Sequence, residues 1–168
     1  MKGTLLLALL FSYLPAPAAE KWPGVPFGEV RAYAWPADTQ EEAVILPDKS
    51  LLPGVLNENG ALLTSKEVQR LRNAVTGRHA DHPIMACYTP HNAFVFFDAK
   101  KKPVAFVEVC FTCLMYRAEP AGVAQNFDLL ALAGIFSAHK LPMGEYRDLQ
   151  SFRKAFTAAV KDNPLPLK

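Results

Sequence analysis

The chain has 168 residues, 51% of them hydrophobic, 11% aromatic and 20% charged, and 18 Lys and Arg against 16 Asp and Glu leave a formal net charge of +2. That length and apolar content support one domain with its own core, and exclude a disordered tail, a collagen-like chain and a disulfide-dense mini-protein. The near balance of charge argues against a dedicated nucleic-acid binder, which carries a clear basic excess.

Residues 1–18 read as an export signal. Lys2 supplies the positive start, residues 5–14 (LLLALLFSYL) an apolar stretch, and Ala16-Pro17-Ala18 a small-residue cleavage site. The stretch is too short for a membrane anchor, since a hydrocarbon core of about 30 Å needs about 20 apolar residues. No cysteine lies beside the cleavage site for lipid attachment, and the chain carries no N-x-[ST] sequon. The expected destination is an oxidising compartment, periplasmic or secreted, with no membrane association once the signal is removed.

Residues 19–29 are rich in Pro and Gly and read as an extended N-terminal arm; residues 30–162 read as a single domain, and 163–168 as a frayed, Pro-broken tail. Within the domain, residues 30–35 (VRAYAW) alternate as a strand that Pro36 stops. Residues 43–46 form a short strand candidate, Pro53-Gly54 marks a turn, and 57–60 (NENG) is a loop. Thr64 and Glu67 make a capping box ahead of Val68, Leu71 and Val75 at helical spacing, and Gly77 ends that helix. Residues 78–83 form a polar loop holding His79 and His82.

Residues 92–98 and 103–111, rich in Val and Phe, predict a hairpin joined by the polar turn 99–102, whose three lysines suit a solvated tip. Residues 127–139 predict a helix apolar nearly all round, hence buried. Residues 146–160 predict a third helix with Leu149, Phe152, Phe156 and Val160 on one stripe. Strands and helices do not alternate regularly. The fold class expected is α+β, with a mainly antiparallel sheet centred on one long hairpin and packed against about three helices.

The sequence lacks G-x-S-x-G, G-x-G-x-x-G, P-loop and H-E-x-x-H motifs, so no common catalytic class is indicated and the reading leans away from an enzyme. Glu108 lies within an apolar strand, where the solvent face of a half-exposed sheet would accommodate it.

Cys87, His91, Cys110 and Cys113 form C-x3-H and C-x2-C at the open end of the hairpin. Thiolates and imidazole are the ligands that Zn or Cu(I) select, so a metal site on these four residues is one reading. A disulfide among Cys87, Cys110 and Cys113 is a second, favoured by export, though three cysteines leave one unpaired. A redox pair Cys110–Cys113 is a third, weakened because residues 114–120 make a poor helix start. Cys87 as nucleophile with His91 as base is a fourth, and needs a turn at Pro90.

Strand alternation constrains these readings. If cross-strand partners sum to an odd number, Cys110 shares a face with His91 and Cys113 does not; an even sum gives the reverse. All four converge only if the second strand ends near Phe111 and the C-x2-C is itself a turn. His79 and His82 suit solvent-facing loop positions, and His139 suits a helix C-terminus. Met85 and Met115 flank the cluster, as soft ligands for Cu(I) or as core filler.

The stretch 87–113 (CYTPHNAFVFFDAKKKPVAFVEVCFTC) resembles an uncharacterised family of small exported bacterial proteins. The likeness lies in a C-Y-x-P-x-x-A-F-V-F-Y-D strand, a short polar turn and a P-V-A-x-x-E-x-C-F-x-C strand, and extends more weakly over 64–77. Phe97 departs from the pattern, which prefers Tyr there. The resemblance implies export and the hairpin, and no activity, substrate or cofactor. Two classes of function therefore stand beside each other: a metal-binding or metal-stabilised protein, and a non-catalytic, disulfide-stabilised binding, inhibitor or immunity-type module with a protein partner. A thiol-disulfide redox protein is the third.

Overall fold

The computed structural model describes residues 22–163. The expected export signal over 1–18, the start of the arm and residues 164–168 of the tail lie outside the described residues.

Five strands form one antiparallel sheet in the order β2-β1-β3-β4-β5, comprising β1 (Glu29–Ala34), β2 (Ala61–Leu62), β3 (Asn92–Phe97), β4 (Pro103–Cys110) and β5 (Met115–Glu119). Three helices accompany it: α1 (Ser65–Thr76), α2 (Leu129–Ala138) and α3 (Leu149–Asp162). The fold is α+β, as the irregular succession of strand and helix signals implies. Among the described residues no helix is long and apolar enough to cross a membrane.

The period-2 alternation of β1, β3 and β4 sorts the core into two layers. Val30, Ala32, Phe94, Phe96, Ala105, Val107 and Val109 point to the helices and meet Leu71, Val75, Leu132, Phe136 and Phe152. Tyr33, Trp35, Ala93, Val95 and Phe106 point the other way, onto a smaller cluster with Val44 and Ile45. The segment between β1 and β2 therefore covers the face that the helices leave open. Its residues 43–46 form no strand, contributing only an isolated bridge from Ile45 to Leu51.

Local chemistry fixes the helix ends. Thr64 and Glu67 form the expected capping box, with Glu67 N–H donating to Thr64 Oγ1 at 3.3 Å and Thr64 N–H to the Glu67 carboxylate at 2.8 Å. Asp148 caps α3, accepting from Ser151 N–H at 2.8 Å, so that helix begins a little later than its apolar stripe suggests. The α2 helix buries Leu129, Leu132, Ala133, Ile135 and Phe136, consistent with its all-round apolar sequence. Gly60 is required where it stands: its φ is +64°, and a β-carbon there would sit 2.5 Å from the Tyr33 ring.

The arm packs rather than hangs free. Trp22 meets Phe96 edge to face at 5.2 Å and its carbonyl accepts from Arg72 Nε at 2.7 Å. At the lysine turn, Lys101 Nζ lies 2.5 Å from Glu29 Oε2. Arg31 and then Lys101, both donating to it, hold the Glu29 carboxyl down at about 2.

The sheet contains one element more than the sequence suggests on its far side. Residues 115–119 form the edge strand β5, where residues 114–120 read as a poor helix start. Their half-exposed burial weakens the alternation that marks a strand.

Candidate functional site

The β3–β4 register takes the odd alternative, with Asn92 opposite Val109 and Ala93 opposite Glu108, until a bulge at Phe96/Phe97 places Phe97 against Pro103. This register carries the cysteine end. β4 stops at Cys110, residues 111–114 turn with Leu114 at φ +54°, and β5 returns with Met115 opposite Cys110. The C-x2-C is thus a turn between strands. It swings Cys113 inward to full burial, where Cys87 reaches it: the two are joined in a disulfide with their Cα atoms 5.6 Å apart, spanning 26 residues of sequence. Met85 N–H donates to the Cys113 carbonyl at 3.0 Å and reinforces the same junction. Cys110 stays a thiol, fully buried, and its Sγ accepts from the Cys113 N–H at 3.2 Å.

The neighbouring polar residues are committed to holding loops. Glu108 is not on a solvent face; it is fully buried, because the segment after β1 folds over that side of the sheet. Its Oε1 accepts from Val44 N–H at 2.8 Å and Ile45 N–H at 2.5 Å, and its Oε2 from Arg117 Nε at 2.7 Å and the Tyr88 hydroxyl at 3.4 Å. Arg117 also donates to the Ile45 carbonyl at 2.9 Å and lies over the Phe106 ring. A buried carboxylate needs such a full set of donors to remain where it is. Burial, and then the charge of Glu108 beside it, drive the Tyr88 phenol far above its ordinary value, so it remains a proton donor. Tyr146 is raised too, first by burial.

His91 is buried, with Nε2 3.1 Å from the Thr39 carbonyl and the backbone of Gly144 pressed against its Nδ1 side. Asn92 donates to the Pro142 carbonyl at 2.8 Å. His82 does not face solvent: it is 5% exposed and sits between the rings of Tyr116 and Phe156. His79 Nε2 is 3.0 Å from the Asn73 carbonyl, at the end of α1. His139 occupies the C-cap of α2, 3.0 Å from Glu67. Of the flanking methionines, Met85 is exposed and fills no core, while Met115 is half-buried.

No family model, curated protein or solved structure matches this chain.

The four residues Cys87, His91, Cys110 and Cys113 therefore share one end of the sheet but not one ligand shell. Cys87 and Cys113 spend their thiolates on each other, and His91 points its Nε2 at a backbone carbonyl. Among the described residues, no group of three or more His, Cys, Asp or Glu is placed to hold a metal ion. The same bond ties up the Cys87 sulfur that the nucleophile reading needs, and gives Cys113 to Cys87 rather than to Cys110.

What the sequence did not disclose is the surface this junction creates. Ile84 is 62% exposed and Met85 44%, directly before the bridged Cys87. With Tyr88 and Met115 they line a groove of about 430 Å³. The signal was faint in the sequence, where I-M-A-C reads as an ordinary core stretch.

Proposed function

We propose that this chain is an exported, disulfide-stabilised binding module without chemistry of its own, whose contact surface is the 84–88 loop and whose partner is a protein inserting an aliphatic side chain beside Met85 and Met115. The observation that carries this reading is a pair of large apolar side chains left in solvent on a loop that a disulfide and a backbone hydrogen bond hold in place. A large exposed apolar pair held rigidly is a marker of recognition, since pre-ordering lowers the entropy lost on binding. Methionine adapts to differently shaped partners. Export rests on the signal-like residues 1–18, and the use of one cysteine pair as a bridge suits an oxidising compartment.

A photo-cross-linking side chain at position 85, in the protein produced in its own host, tests the reading. One discrete cross-linked species is expected in the exported fraction, absent when Ile84→Asp is introduced and absent when the probe sits at Leu62 on the opposite sheet edge. Equal cross-linking from both positions, a cross-link only to a second copy of the chain, or none at all would overturn it.

A further inference from the structure

Cys110 has no part in the binding surface, yet it is the best-placed nucleophile in the molecule. Its sulfur accepts a hydrogen bond from the amide of Cys113, and the Cys113 sulfur is separated from that nitrogen by Cα and Cβ alone. That sulfur is one half of the disulfide. An N–H aimed at a sulfur favours the thiolate, which is the form that attacks a disulfide. The C-x2-C spacing across a turn is also the spacing that closes readily into its own ring. The opposing influence is the buried Glu108 carboxylate on the same face, whose charge Arg117 balances at 2.7 Å.

We propose that Cys110 exchanges with the Cys87–Cys113 disulfide. The Cys110 thiolate attacks Cys113 Sγ, the Cys110–Cys113 bond forms as the Cys87–Cys113 bond breaks, and Cys87 leaves as the thiolate, taking up the proton that Cys110 gave away. No electrons are gained or lost overall, so neither oxidant nor reductant is required. The product differs from the reactant in position: a buried thiol is replaced by one at Cys87, which lies on the exposed 84–87 stretch. The covalent tie between that stretch and the sheet is lost, leaving the Met85 N–H to Cys113 carbonyl hydrogen bond. The exchange thereby creates a surface thiol able to form a mixed disulfide with another protein's cysteine, and it stands whether or not the 84–88 surface binds a partner.

The experiment is time-resolved trapping of the folded, oxidised protein with iodoacetamide, followed by acid quenching and peptide mapping of disulfides. Label is expected to accumulate on Cys87 together with a Cys110–Cys113 bridge, and Cys110→Ser, which keeps the side chain small and able to accept the same N–H, should lose Cys87 labelling. Three results would each overturn the proposal: Cys87 that stays unlabelled while Cys87–Cys113 persists, label on Cys110 with that bridge intact, or equal Cys87 labelling in the serine variant. If the serine variant does not fold, the mapped bridge in the native protein alone decides, because only exchange yields a Cys110–Cys113 peptide under non-reducing conditions.

Discussion

Glu108 shows how one residue organises the face of the sheet away from the helices. Its carboxylate gathers two backbone amides, a guanidinium and a phenol that come from three separated stretches of chain. Glu108→Ala would leave the Val44 and Ile45 amides buried without an acceptor and Arg117 without its partner. Unsatisfied buried donors and broken buried ion pairs are costly, so a loss of about 3 kcal/mol is expected, with a smaller loss for Glu108→Gln, measured by urea unfolding. An unchanged midpoint for the alanine variant would mean that the cluster contributes nothing. That Glu108 sits inside an apolar strand was plain from the sequence; that its face was covered was not. Burial of that face depends on Val44 and Ile45 arriving from a segment whose strand-like pattern never becomes a strand, and no local signal says where such a segment will lie.

At the scale of elements, the C-x2-C turn is where sequence and structure agree in outline and part in detail. Alternation along β3 and β4 put Cys110 on the His91 face once the register was odd, and a turn after Phe111 was the condition for the remaining cysteines to approach. The structure meets that condition by adding β5, whose residues Met115, Tyr116, Arg117, Ala118 and Glu119 alternate too weakly to announce a strand. Arg117 and Glu119 stand where a buried strand would carry apolar residues, and an edge strand tolerates them. The bridge that the turn permits closes 26 residues, and removing it by Cys87→Ala should cost about 3–4 kcal/mol through the added freedom of the unfolded chain. The checking measurement is guanidinium unfolding of the variant against the oxidised protein. Equal stability would show that the bridge only orders the 84–88 loop.

Across the whole molecule, the layers are held unequally. β3 and β4 are buried between the helices on one side and the Val44–Ile45 cluster on the other, whereas Phe152 is the one fully buried side chain of α3. Opening of α3 exposes little apolar surface, so its amides should exchange with deuterium well before those of β3 and β4. Exchange of α3 together with the central strands would show instead that it unfolds only with the rest. The helix pattern, the hairpin and the fold class were legible because each rests on local periodicity or capping. Pairings across long sequence separations were not, as with Cys87 and Cys113 or Ile45 and Glu108, because they depend on how the elements pack.

The most direct measurement is the disulfide map of the protein recovered from its own compartment without reductant or chelator, quenched in acid, alkylated and weighed intact. The expected principal species is metal-free, two hydrogens short of the fully reduced mass, bridged between Cys87 and Cys113, with Cys110 alkylated only after unfolding. A principal species with three free thiols, or one carrying a transition metal ion on Cys87, His91, Cys110 and Cys113, would contradict it.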